Sequence, residues 1–185
     1  MDNLVSKSQD YGYKKPSDDH KYSKNSIIGT VVHEIMKNID FNDDFNDKKN
    51  LENIAEIYCD RNDIPSEKSK VVFLTNNLLN SSLIKSLKNK KYYKEIWVSN
   101  RIDNYDLEGS IDLLIENNDR SYSIIDYKTT SEKNLYNLSK VSESYKSQIL
   151  DYVKILKSQK KIVKDAKLLF VSEFMEEAFE YNIDI

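Results

Sequence analysis

The stretch "SYSIIDYKTT" (121–130) runs two apolar residues, Ile124 and Ile125, straight into Asp126, Tyr127 and Lys128. Side chains alternate along a strand, so Asp126 and Lys128 point to one face. A carboxylate beside an ammonium at the end of an apolar strand is either an ion pair or chemistry. A second acid favours chemistry. "GSIDLL" (109–114) sets Asp112 inside another apolar strand, and "NND" (117–119) reads as the turn between the two. A hairpin centred near Asp119 places residue 112 opposite residue 126, with Cβ atoms about 4.5–5.5 Å apart. Two carboxylates that close repel unless a cation lies between them. Oxygen ligands with open positions suit Mg2+ or Mn2+. A plain Asp126–Lys128 pair would leave Asp112 without a partner, and a slip of one residue in register would separate the two acids. Lys128, beside a metal, is placed to touch a phosphate oxygen or orient an attacking water.

These residues need a scaffold. Ile28, Val31, Val32, Ile35, Met36 and Ile39 fall at helical spacing, with Ser26 as the expected N-cap. "DFNDDFNDKKN" (40–50) reads as an acidic loop, and its Asp spacing does not match a calcium loop. Leu51, Ile54, Ala55, Ile57 and Tyr58 mark a second helix, and 66–88 one or two more. The period then switches to that of strands at 95–100, 107–117 and 120–130. A long helix over 141–158 and a strand over 166–174 follow, with a further edge strand expected at the end. The expected fold is α/β, a mixed central sheet flanked by helices with an N-terminal helical portion. Residues 1–25 read as a loose lead-in or linker stub, and 26–185 as one domain.

The ordered residues resemble a family. "GSIDLL", a turn and "IIDYKT" look like the core of the PD-(D/E)XK nucleases, a restriction-endonuclease-like fold. More narrowly they resemble the RecB/AddA-type nuclease domains of exodeoxyribonuclease V and its relatives. That branch carries a G-x-x-x-H pattern on an upstream helix, here Gly29 and His33 in "GTVVHE". It also carries Q-x-x-x-Y on the helix after the catalytic strand, here Gln148 and Tyr152. By resemblance His33, Asp112, Asp126 and the backbone carbonyl of Tyr127 hold Mg2+, with Mn2+ able to substitute. Asp112, Asp126 and Lys128 are the expected catalytic residues. Gln148 and Tyr152 are expected to contact DNA or position the lysine. Glu95 matches an acid often found at the start of the first strand, where an exposed Glu is also the ordinary structural choice. A helical His and a polar i, i+4 pair likewise have ordinary structural uses.

The resemblance implies a Mg2+-dependent exodeoxyribonuclease acting on single-stranded DNA ends in recombinational repair. The expected partner is a helicase, in cis or in trans, because the three glycines cannot form its phosphate-binding loop. The rival expectations are a catalytically inactive nuclease fold that docks DNA or a partner, and a stand-alone endonuclease. One cysteine, Cys59, excludes a four-cysteine iron–sulfur cluster or zinc site. No apolar run is long enough to cross a bilayer and Met1 opens no secretory signal, so a cytoplasmic location without membrane contact is expected. The net charge of −3 lacks the global basicity of a simple nucleic-acid binder. Lysines cluster locally, however, at 85–94 and 154–167. Those lysines, with Tyr92 and Tyr93, are candidates to line a groove for a single strand.

Overall fold

A computed structural model of the chain describes residues 23–42, 48–102 and 104–185. The expected lead-in, except residues 23–25, and the middle of the acidic loop lie outside the described residues. Among the described residues four α-helices come first, α1 (Lys24–Asn38), α2 (Lys48–Arg61), α3 (Lys68–Asn80) and α4 (Ser82–Lys85), with a 3-10 turn at Pro65–Glu67. Strands β1 (Lys91–Ile102), β2 (Tyr105–Glu116) and β3 (Tyr122–Thr129) follow, then α5 (Glu132–Leu135) and α6 (Leu138–Ser158), and then β4 (Val163–Val171) and β5 (Phe179–Ile183). The cap of α1 is Ser23, whose hydroxyl accepts from the Ser26 N–H at 3.3 Å, so the helix starts a turn earlier than Ser26 indicated. β1 also starts earlier, at Lys91, with Tyr92 packing on the α1 side of the sheet and Tyr93 on the α6 side. β4 ends at Val171, where Ser172 bonds back to the N–H groups of Phe174 and Met175.

The five strands lie in sequence order. Only β3 and β4 run parallel, joined by the α6 crossover; the other pairs are antiparallel, so the sheet is mixed. Each face buries its own core. Leu113, Ile115, Ile125, Tyr127, Leu169 and Val171 pack against α1–α4. Ile111, Leu114, Ile124, Leu168 and Phe170 pack against Ile149, Val153 and Leu156 of α6. Among the described residues, no helix is long and apolar enough to cross a membrane.

Alternation breaks at one rung. Residues two apart on a strand share a face, yet Ile111 packs on the α6 side and Leu113 on the α1 side. On β1, Lys94 reaches the Met36 and Ile39 carbonyls at the end of α1, while Ile96 packs on the α6 side. Between these pairs stand Asp112 and Glu95, absent from an otherwise continuous β1–β2 ladder. Glu95 has φ 49°, a left-handed conformation that is costly for a non-glycine residue. The rung is twisted so that Glu95 and Asp112 both turn toward α1.

Two glycines let the helices close in. A Cβ on Gly29 of α1 would lie 2.9 Å from the Thr129 hydroxyl, and one on Gly109 of β2 would lie 2.6 Å from the Tyr152 ring. Gly109→Ala is expected to displace that buried ring and destabilise the fold by about 1–3 kcal/mol, as overpacking does. Urea unfolding measures it, with an unchanged midpoint as the contrary result.

Candidate active site

The β2–β3 ladder runs from Glu116–Tyr122 to Leu113–Ile125 and stops. This register is the one the turn predicted. Beyond it β2 continues beside β1 and β3 beside β4, so the sheet forks. The next residues on the two arms are Asp112 and Asp126, 8% and 2% exposed. Parting leaves the Tyr127 peptide groups on that side without strand partners, and side chains take them. The Tyr127 N–H donates to Asp112 Oδ2 at 2.7 Å. The Tyr127 carbonyl lies 2.9 Å from His33 Nε2. His33 Nδ1 in turn lies 3.4 Å from Asp112 Oδ2.

Glu95 joins them. Its Oε2 accepts from the Ser110 hydroxyl at 2.9 Å. Ligand atoms of His33, Glu95 and Asp112 all lie within 4.8 Å of one another, forming the candidate metal group among the described residues. Glu95 is thus a half-buried member of the site in mid-strand, not an exposed acid at a strand entry. Asp126 falls outside this group. Its Oδ2 lies 2.5 Å from Lys128 Nζ, a buried ion pair. Lys128 Nζ also sits 4.5 Å from the centre of the Tyr145 ring on α6, a cation–π contact.

A family model for the PD-(D/E)XK nuclease superfamily matches residues 8–178. The chain belongs to the PD-(D/E)XK nuclease superfamily. No match is found among curated proteins. One similar solved structure is described as "Crystal structure of SSO0001", at 16% identity and a TM-score of 0.40, covering 90% of this chain and 72% of that one.

The superfamily implies a divalent cation, and the residues fit one. A ring nitrogen, two carboxylates and a backbone carbonyl converge. That donor set suits a hard or borderline cation. His33, Glu95, Asp112 and the Tyr127 carbonyl are the residues to hold it, with Asp126 on the other arm of the fork.

Gln148 and Tyr152 pair with each other, Nε2 to hydroxyl at 2.7 Å. Tyr152 is buried against Gly109, while Gln148 is exposed. The residue on Lys128 is instead Tyr145, three positions before Gln148 on α6. That spacing was its only signal in the sequence. Ser110, two residues before Asp112, was legible in the same weak way. Tyr92 and Tyr93 each have their hydroxyl engaged within the fold. The Tyr92 hydroxyl bonds Asp40 and the Phe41 N–H, and Tyr93 packs on the α6 side and bonds Glu116. Lys91, Lys154, Lys164 and Lys167 pair with Glu116, Asp151, Asp119 and Glu180, the ordinary fate of surface lysines.

Electrostatics follow from burial. Desolvation, then the Asp112 charge, pushes the Asp126 pKa up to about 6, with Lys128 offsetting only in part. Burial opposes the Lys128 ammonium, but Asp126 and Asp112 outweigh it and raise its pKa. Burial likewise opposes His33 protonation, and Asp112 outweighs it, so its pKa lies above 6.5.

Without metal, protonated Asp126 stabilises the fold fully below its unfolded pKa of 3.8, and this is lost as pH rises through about 6. Asp126→Asn is therefore expected to gain stability over wild type between pH 4 and 7, by up to about 3 kcal/mol; a flat difference in denaturant unfolding would contradict it. Metal binding must displace the His33 proton. Mn2+ affinity, measured by calorimetry, is expected to fall about ten-fold per pH unit below the His33 pKa, with a pH-independent affinity as the contrary result.

Proposed function

We propose that the chain hydrolyses DNA phosphodiester bonds with Mg2+ or Mn2+, trimming single-stranded ends as the nuclease domain or partner of a helicase in DNA repair. The observation that carries the hydrolysis is the Asp126–Lys128 pair standing across the fork from His33, Glu95 and Asp112. A bound divalent cation supplies the Lewis acidity that polarises the phosphate and lowers the pKa of water.

The protein's own groups do the rest. Asp112 orients two partners at once, the Tyr127 N–H and the His33 ring. Ser110 holds Glu95 toward them. Lys128 is kept charged by two carboxylates, so it acts as a donor and not as a base. Its ammonium orients the attacking water or stabilises charge developing on the phosphate. Tyr145 holds that ammonium from the α6 side. Hydrolysis touches the backbone alone, which carries no sequence information, so cleavage is expected to tolerate sequence.

Support for the exonuclease-like branch comes from α1. Gly29 brings the helix onto β3, and His33 one turn later meets Asp112 and Tyr127. The Gln148–Tyr152 pair on α6 supports it too.

The test is nucleotide release from end-labelled single-stranded DNA with Mg2+, Mn2+ or EDTA. Metal-dependent release is expected, with Lys128→Ala slower by at least about a hundred-fold. Equal rates in the variant would overturn the site. Cutting of closed single-stranded circles at the same rate would favour an endonuclease.

A further inference from the structure

Trp97 is the sole tryptophan of the chain and is 62% exposed. A single exposed apolar residue is ordinary on any surface, so its position has to carry the case. Ile96 and Val98, on either side of it, pack into the α6 core, which turns Trp97 to the opposite face. That is the face of His33. Trp97 pairs with Ser110, and paired residues on a sheet share a side. The Ser110 hydroxyl is the one that holds Glu95. The indole thus stands two residues, about 7 Å, along β1 from a candidate metal ligand. β1 is an edge strand, so a chain can approach from the open side.

Further along the same face, Arg101 and Asp106 lie opposite each other, as do Ser99 and Glu108. Their mixed charge offers no track for phosphates. What this face offers next to the fork is an uncovered ring, and Tyr92 and Tyr93 are already engaged in the fold.

We infer that Trp97 is a base-stacking subsite, receiving an unpaired nucleobase adjoining the phosphate held at the fork. This rests on the nuclease function proposed above. A stacked base fixes the strand without reading sequence, since every base has a π-face. It also selects single strands, because bases in a duplex are stacked on one another and unavailable to the indole.

Being the sole tryptophan, Trp97 reports on itself by fluorescence. The Lys128→Ala protein with Mg2+, which should spare the strand, is titrated with oligothymidylate and with an abasic strand of equal length. Anisotropy of labelled strands follows binding separately. Oligothymidylate is expected to quench the emission, and the abasic strand, with the same phosphates, is not. In the otherwise wild-type chain, Trp97→Ala is expected to weaken oligothymidylate binding about ten-fold or more. The loss should fall on KM and not on kcat, and Trp97→Phe should recover most of it. Equal quenching by both strands, or an unchanged KM in Trp97→Ala, overturns the subsite while leaving the nuclease standing. A wild-type chain that neither binds nor cuts any strand overturns both.

Discussion

The site exists because β2 and β3 part after the Leu113–Ile125 rung. A buried strand cannot leave its peptide groups unpaired without cost. At Tyr127 the N–H and the carbonyl both face the space that β2 has left, and Asp112 and His33 take them. One peptide segment thereby fixes a carboxylate from β2 and an imidazole from α1 relative to β3. The fork is also what lets acids occur inside a core. Their apolar neighbours pack above and below, while the carboxylates stand where the sheet is open.

Two supports keep the fork in shape. The first is the reset of alternation at Glu95 and Asp112, which lets the successive residues Lys94 and Glu95 both turn toward α1. The left-handed backbone of Glu95 carries that reset, and strain of this kind persists where the surroundings over-determine it. Lys94 contributes by holding the preceding residue to the carbonyls closing α1, with its ammonium 3.8 Å from the Phe41 ring centre. The second support is close packing. Neither Gly29 nor Gly109 has a positive φ, so both serve for space and not for backbone freedom. One draws α1 onto β3, and the other lets Tyr152 of α6 lie on β2.

This division explains what the sequence revealed. The register was legible because a short turn sets it, and the turn "NND" stands between two apolar runs. Asp112, Asp126 and Lys128 therefore came from local arithmetic. His33, Gln148 and Tyr152 came from resemblance, since nothing in helix α1 says which strand it will meet. Glu95 came from resemblance too, but its place in mid-strand was missed because the strand was expected to begin there. Tyr145 was hidden because it meets Lys128 only through the packing of a crossover helix. The partners of the tyrosines in "KYYK" were not legible, since Asp40 and Glu116, which their hydroxyls bond, are remote in sequence.

Charge closes the account of the site. Glu95, Asp112 and Asp126 bring three negative charges, and Lys128 brings one positive. With His33 neutral, two negative charges remain, which one divalent cation cancels. Without the cation, the protein reduces the same imbalance by favouring a proton on Asp126 and on His33. Protons and metal therefore compete for one surplus of negative charge, and the fork is held in a state that a cation relieves. The net charge of −3 does not count against the proposed work on DNA, because the charge a strand would meet at the fork is that of the loaded site.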